Sequence, residues 1–530
     1  MNKKCFYITT PIYYPSGNPH IGHAYCTTIS DIIARYKRMR GYDVFFLTGT
    51  DEHGQKIEKN AKKAGLEPQE YVDQIVANFK TLWEKLEISN DDFIRTSQPR
   101  HIKCVQSIFS TFVKNDDVYL GSYEGWYCTP CESFWTDTQV GENHICPDCG
   151  RPVEKSKEDC YFFKTQKYLP ELNKLFDQEK FITPVSRKNE MVNNFIKPGL
   201  EDLCVSRTSF KWGVPILENE KHVAYVWLDA LINYISALGY RSEDDSLFKK
   251  FWENPDSEIV HVIGADITRF HTIYWPEFLS ALSLRHPSRV FVHGLLMMKD
   301  GKMSKSKGNV ISPYPLIEKY GVDTVRYYLA REIIFGQDGQ FTPEQYVERI
   351  NMDLANNFGN LVSRSISMVV KYFEGKVPEF KSNVGPFDKE VEELIKLTIS
   401  NYEIKMDDLK VTEAIIDVMN LLNRANKLIE ESAPWNLAKD ESKKEELESL
   451  MSHLLYIIFV STKLLEPILV EKSKVIFESL NALDESKDYE NIKNPSILNN
   501  KVVSKTPVLF PRLDVNLEVE YIKGLMPKNQ

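Results

Sequence analysis

Apolar and polar positions follow two rhythms in the first hundred residues. The run Cys5–Thr10 is short, apolar and β-prone, which predicts a buried strand. It opens into a loop, Pro11–Pro19, and from about Ile21 to Met39 the apolar residues recur at helical spacing. Arg40-Gly41 closes that helix, since glycine accepts a left-handed cap. Val44–Leu47 reads as a second buried strand and Gly54 to Ala64 as a second helix, and strand–helix–strand at this spacing predicts a parallel α/β unit. Residues near 116 to 225 break the rhythm with Gly- and Trp-bearing turns and paired cysteines, the pattern of an inserted module. The α/β pattern resumes with a helix over Tyr225–Tyr234, a strand over Ile259–Ile263, a helix over Ile273–Leu282 and a strand over Val290–His293. From about Met352 to Leu480 nearly everything is helical by period, as at Leu361-Val362, Ile415-Ile416 and Leu421-Leu422, which predicts an antiparallel bundle. The last stretch, rich in Asn, Lys and Pro from about Lys493, reads as a partly ordered tail returning to the body.

Composition narrows the class. At 530 residues the chain has room for roughly three domains. Sixty-six Lys+Arg against 75 Asp+Glu leave a net charge of −9, which excludes a uniformly basic nucleic-acid coat but not a local basic surface. The longest apolar run, Leu454 to Val460, is seven residues, short of the roughly 20 of a membrane helix, so no membrane partner is expected. Met1-Asn2-Lys3-Lys4 leads straight into the first strand, without the pattern of a cleaved leader. Nine cysteines, an odd number in a large chain, argue against a secreted disulfide framework and fit a reducing cytoplasm.

Three constellations carry candidate chemistry. Pro19-His20-Ile21-Gly22-His23 stands where a strand–loop unit enters a helix. A helix N-terminus attracts phosphate, two imidazoles there can donate to phosphate oxygens, and Gly22 leaves room for an adenine ring on the backbone. A capped helix start with buried histidines would look the same in isolation. After the turn Lys299-Asp300-Gly301 comes Lys302-Met303-Ser304-Lys305-Ser306-Lys307-Gly308, a cationic loop between glycines, with lysines suited to phosphate oxygens. Finally, Cys128-Thr129-Pro130-Cys131 and Cys146-Pro147-Asp148-Cys149, with fourteen residues between the pairs, are spaced for one structural Zn²⁺ held by four thiolates. A redox dithiol would need a strand–helix context that these pairs lack, and His144 is surplus to a four-thiolate site.

The histidine pair and the lysine loop together resemble the two signature motifs of class I aminoacyl-tRNA synthetases. Within the class, several further segments are similar to the methionyl-tRNA synthetase family. They are Thr9–Tyr14, Thr48-Gly49-Thr50-Asp51-Glu52-His53-Gly54, Val226–Ala230, and Phe270-His271 ahead of Trp275-Pro276. Only 278 residues separate His23 from Lys302, too few for the large editing domain of the leucyl, isoleucyl and valyl members. The fold implied is an α/β Rossmann-type parallel-sheet catalytic domain with an inserted zinc-knuckle module, followed by an all-α anticodon-binding helical bundle. The expected segments are 1–115 (first catalytic half), 116–225 (zinc-knuckle insertion), 226–295 (second catalytic half), 296–352 (lysine-loop linker), 353–492 (anticodon-binding helices) and 493–530 (tail).

The resemblance also implies an activity. Methionine and ATP, the latter with Mg²⁺, would give methionyl-adenylate and pyrophosphate, and tRNA(Met) would then be charged. His20, His23, Lys302 and Lys305 would act on the phosphates. The ATP site would add Gly22, Gly264, Asp266, His293, Gly294, Met303 and Ser304. Ile12, Tyr14, Asp51, Trp227, Ala230, Leu231, Tyr234, Ile267, Phe270 and His271 would form the methionine pocket, with Asp51 on the ammonium. Trp227, Leu231 and Tyr234 do share one helical face, although plain core packing produces such stripes too. Some relatives have proline at the position of Leu231. Arg207 is a further candidate near the reacting region. Asn360 and Arg364, one helical turn apart, and Trp435 match positions that read the anticodon. The chain ends at Gln530 soon after Leu509-Phe510-Pro511-Arg512, without room for an appended dimerising domain, so a cytoplasmic monomer is expected. The competing readings are another synthetase of the class, a nucleotidyltransferase, or an RNA-binding paralogue that does not charge tRNA.

Overall fold

The computed structural model describes residues 3–129, 131–135, 137–147, 149–298, 301–302, 310–334 and 336–526. The chain divides into two compact units: Met1–Pro19, Gly41–Glu84 and Ser89–Gly294 form one, and His20–Arg40, Lys85–Ile88 and Leu295–Gln530 the other.

The first unit is built on a six-stranded sheet. Across it the strands run Asp92–Arg95, Asp43–Thr50, Cys5–Thr9, Glu258–Gly264, Arg289–His293 and Ile182–Thr183, all parallel. Phe6 stands between Val44 and Glu258, and Thr9 between Leu47 and His261. Every residue of Cys5–Thr9 is buried, which explains its unbroken apolar run: a parallel strand covered on both faces has no polar side to show. The strand order reverses beside Cys5–Thr9, and the carboxyl ends of the strands at such a switch point are where ligands bind in open α/β sheets. Helix Pro99–Lys114 and helix Val226–Ser236 contribute Phe109, Phe112, Leu228, Leu231 and Ile232 to one apolar core. The expected helix over Ile273–Leu282 starts earlier, as a π-turn over Phe270–Tyr274 that runs into Trp275–Ala281. The insertion is a four-stranded antiparallel sheet. Its central hairpin, Val118–Cys128 with Glu154–Phe163, keeps register from Val118↔Phe163 to Tyr127↔Glu154.

In the second unit, helix Ile21–Met39 and helix Val322–Glu332 pack together. They are pinned by Arg326, which is fully buried. Its guanidinium donates to Asp31 Oδ2 (2.7 Å) and to the carbonyls of Leu86 (2.9 Å), Pro467 (2.7 Å) and Ile468 (3.1 Å). Helices Asp388–Asp407, Val411–Ser432 and Lys444–Leu465 pack against one another as the predicted bundle. The segment Glu441–Leu465 is long and apolar enough to cross a membrane, but 94% of its most apolar window is buried inside the protein, as in a core helix. The final stretch is more regular than its composition suggests. Asp514 accepts from Leu517 N (3.0 Å) and starts a helix over Val515–Leu525 whose Val519 and Ile522 are buried.

Candidate active site

The loop after the first strand carries Ile12 and Tyr14, and Asp51 follows directly on Asp43–Thr50, so all three arise at carboxyl ends of strands in the first unit. Helix Val226–Ser236 brings Trp227, Ala230, Leu231 and Tyr234, while Ile267 lies in a 3₁₀ turn and Phe270 and His271 in the π-turn. Leu231, Tyr234 and Phe270 share one core cluster, with Ile12, Trp227 and Ile267 packed against it. The Trp227 and Phe270 rings stack at 3.7 Å and 6°. The result is an aromatic-rich cluster at the carboxyl ends of the strands, with the chemistry to receive a flexible, polarizable thioether.

Two polar features adjoin this cluster. Tyr234 donates its hydroxyl to His271 Nε2 (2.7 Å), so the ring proton sits on Nδ1 and goes to the Ile267 carbonyl (3.0 Å). Burial pulls His271 down to about 4, and the ring is neutral at pH 7. Asp51 is buried, and its Oδ1 has no hydrogen-bond partner. Burial first, then the neighbouring carboxylates of Asp229, Glu132 and Glu52, push its carboxyl well above the ordinary range. Such a carboxylate is costly unless a cation arrives to pair with it.

Sequence reasoning passed over the layer beneath. Asp229, on the same helix as Trp227, is fully buried and accepts from His53 Nδ1 (2.6 Å) and His101 Nε2 (2.7 Å). Burial works against its charge, yet the two histidines hold it down at about 2. Nothing in spacing alone pairs residues 53, 101 and 229; only the fold does. Arg207 is buried, bonded to Glu158 Oε1 (2.7 Å) and Ser209 Oγ (3.0 Å), with its guanidinium over the Tyr127 ring; these contacts anchor the insertion.

Gly264, Asp266, His293 and Gly294 cluster at the carboxyl ends of the next two strands. A β-carbon on Gly264 would lie 2.8 Å from Asp266 Oδ1 and 3.7 Å from His293 Cε1, so the glycine is what lets these groups converge. His293 Nδ1 lies 2.7 Å from the Gly294 carbonyl, to which it donates.

In the second unit, His20 caps helix Ile21–Met39. Its Nδ1 accepts from Gly22 N (3.1 Å), His23 Nδ1 accepts from His20 N (3.0 Å), and the rings stack at 3.8 Å. A neutral imidazole whose Nδ1 accepts carries its proton on Nε2, so both rings are held as Nε2–H donors. The β-carbon missing from Gly22 would stand 3.0 Å from the His20 ring, so this glycine also makes space for the capping imidazole. Lys302 ends a short strand, Gly301–Lys302, paired with Leu296–Met298. Met303, Ser304 and Lys305 lie outside the described residues.

The thiol groups of Cys128, Cys131, Cys146 and Cys149 come together with all four sulfurs within 4.8 Å of one another, Cys128 and Cys149 at 3.6 Å. Trp126, Trp135, Val140 and Val153 pack around them. Four sulfurs at this spacing fit a tetrahedral ion with Zn–S bonds of about 2.3 Å. His144 stacks on Trp126 instead (4.1 Å). Asn360 opens helix Asn360–Phe373, Arg364 follows one turn on, and Trp435 is 45% exposed in the short helix Pro434–Leu437.

Comparison with known proteins places the chain in a class. Residues 6–158 and 142–366 match the family model described as "tRNA synthetases class I (M)". Residues 377–520 match the anticodon binding domain of methionyl tRNA ligase. A methionine–tRNA ligase of Halalkalibacterium halodurans is 51% identical over 99% of this chain and 81% of its own length, and that of Bacillus subtilis 52% identical over 98% and 80%. The structure of Mycobacterium tuberculosis methionyl-tRNA synthetase in complex with methionyl-adenylate superposes with a TM-score of 0.91 at 36% identity, covering 96% of this chain and all of that one. The apo form of the same enzyme gives 0.85 at 33% identity, covering 97% and 99%. The class is thus that of the class I aminoacyl-tRNA synthetases, ligases that attach an amino acid to tRNA. Within it, this chain belongs to the methionine–tRNA ligase family.

Proposed function

We propose that the chain activates L-methionine with MgATP, giving methionyl-adenylate and pyrophosphate, and then transfers the methionyl group to the terminal adenosine of tRNA(Met). The observation that carries the substrate is Asp51: a buried carboxylate with an unpaired oxygen, in the unit that holds the aromatic cluster, calls for a ligand that is cationic at one end and apolar at the other. The ammonium pairs with Asp51, and the thioether lies among Trp227, Leu231, Tyr234, Phe270 and His271. A methionine carboxylate oxygen attacks the α-phosphorus, the bond from that phosphorus to the bridging oxygen breaks, and pyrophosphate leaves. His20 and His23, held as Nε2–H donors, bind phosphate oxygens, and on the family resemblance Lys302 and Lys305 neutralise the charge that builds up. Gly264, Asp266, His293 and Gly294 form the nucleotide side of the site. In the second step a ribose hydroxyl of tRNA attacks the acyl carbonyl and AMP leaves; no protein nucleophile takes part. Asn360, Arg364 and Trp435 read the anticodon.

The cysteine cluster holds one Zn²⁺, whose contribution when bound is to fold the insertion. The enzyme works as a cytoplasmic monomer; a sedimenting mass of twice the chain would overturn the monomer. The test of the reaction is ATP–pyrophosphate exchange against each of the twenty amino acids. Exchange with methionine alone supports the reading, exchange with another amino acid overturns the pocket, and no exchange from folded protein overturns the activity.

A further inference from the structure

Glu132 follows directly on Cys131, yet its side chain turns away from the cysteine cluster. Its backbone has φ of 50°, a conformation glycine adopts far more easily, and the residue there is nonetheless a buried glutamate. Oε1 accepts from the Tyr14 hydroxyl (2.8 Å) and from Lys56 N (3.1 Å), in the first turn of helix Gln55–Ala64. The Glu132 carbonyl accepts from the hydroxyl of Tyr225, the residue that precedes the helix carrying Trp227 and Tyr234. A β-carbon on Gly54 would fall 2.5 Å from Glu132 Oε2, so the glycine closing the Thr48–Gly54 segment is matched to this carboxylate. Oε2 itself is buried without a hydrogen-bond partner.

We infer that Glu132 is a positioning residue of the methionine pocket: its carboxylate fixes the Tyr14 hydroxyl and the start of helix Gln55–Ala64, while its carbonyl fixes Tyr225. The inference rests on the reading of the pocket given above and adds a residue that reaches it from the cysteine-bearing hairpin. Helix N-termini are commonly capped by the residue just before the helix, whereas this one accepts its cap from a hairpin 76 residues further along the chain.

The test uses the full-length enzyme and follows methionine binding by tryptophan fluorescence alongside pyrophosphate exchange. Glu132→Ala should raise both Kd and KM for methionine about tenfold, the scale of one lost charge-assisted hydrogen bond, with KM for ATP and kcat little changed. Glu132→Gln, whose amide oxygen still accepts from both donors, should recover most of that loss. Tyr14→Phe should match Glu132→Ala, and the double variant should be no worse than either. Unchanged methionine affinity in Glu132→Ala, or losses that multiply in the double variant, would overturn the inference. Should Glu132→Ala fail to fold, Tyr14→Phe carries the same test by itself, and an unchanged methionine KM in it is the overturning result. Wild-type enzyme that exchanges with an amino acid other than methionine, or with none, would instead bring down the pocket reading.

Discussion

At the scale of single residues, charge and burial set what the site can hold. Asp51 sits among carboxylates with an unpaired oxygen, so an ammonium bound there, as proposed, would relieve a cost already built into the fold. Asp51→Asn should therefore raise methionine KM about 10- to 100-fold while leaving ATP affinity nearly intact, as read in pyrophosphate exchange. The pH dependence has a definite sign. A carboxyl shifted upward takes its proton earlier as pH falls, and once neutral it no longer attracts the ammonium, so methionine Kd should rise on acidification in wild type and stay flat in Asp51→Asn. His271 behaves oppositely with respect to folding. Its folded value of about 4 lies below the ordinary 6.5, so its share of stability is full above pH 6.5 and is lost as pH falls from 6.5 towards 4. That share is about 3 kcal/mol, and urea midpoints at pH 7.5 and pH 5 should differ less in His271→Gln than in wild type. The family resemblance named Ile12, Trp227, Leu231, Tyr234, Ile267 and Phe270, which the fold gathers into one cluster. Glu132 and the His53–Asp229–His101 network were not legible in the sequence, because a carboxylate's burial depends on what the fold brings beside it, and no local pattern encodes that.

Among elements, the hydrophobic rhythm carried most of the information. The strand Cys5–Thr9, the helix Ile21–Met39 and the return of the α/β pattern after the insertion all follow from runs and periods that survive folding unchanged. Two places escaped. The π-turn Phe270–Tyr274 adds a residue to a turn, which periodicity over a short window does not register. The helix Val515–Leu525 has only two buried side chains, too few to announce itself against a polar background. The cysteine hairpin was visible in spacing because four sulfurs converging on one point demand it. Stripping its metal with a chelator should raise hydrogen exchange first around Trp126–Trp135 and last in the bundle around Leu454–Val460. An insertion that keeps its protection after metal loss would contradict the structural role of zinc.

For the whole molecule, net charge of −9 means that attraction to tRNA comes from local surface and not from the sum. Affinity for tRNA(Met) should fall steeply with salt while methionine activation barely responds. Trp435→Ala removes a 45% exposed indole that offers a stacking surface to an unpaired base. It should lower aminoacylation about tenfold or more with pyrophosphate exchange unchanged, and equal losses in both assays would rule out an anticodon role.

The buried Arg326 bears on how the protein can be taken apart. A cut after Gly294 looks natural on paper, since it separates the sheet from the helices that follow. Asp31 would then remain in the amino-terminal fragment with Arg35, one turn on in its own helix (2.8 Å), while the Arg326 guanidinium went with the other piece, along with the Pro467 and Ile468 carbonyls that anchor it. Removing one partner from a buried ion pair costs up to about 3–5 kcal/mol, a large part of what holds any domain folded. The helix that begins at His20 would be the casualty, so a minimal adenylating fragment must retain Val322–Glu332 or replace both members of the pair with apolar residues together.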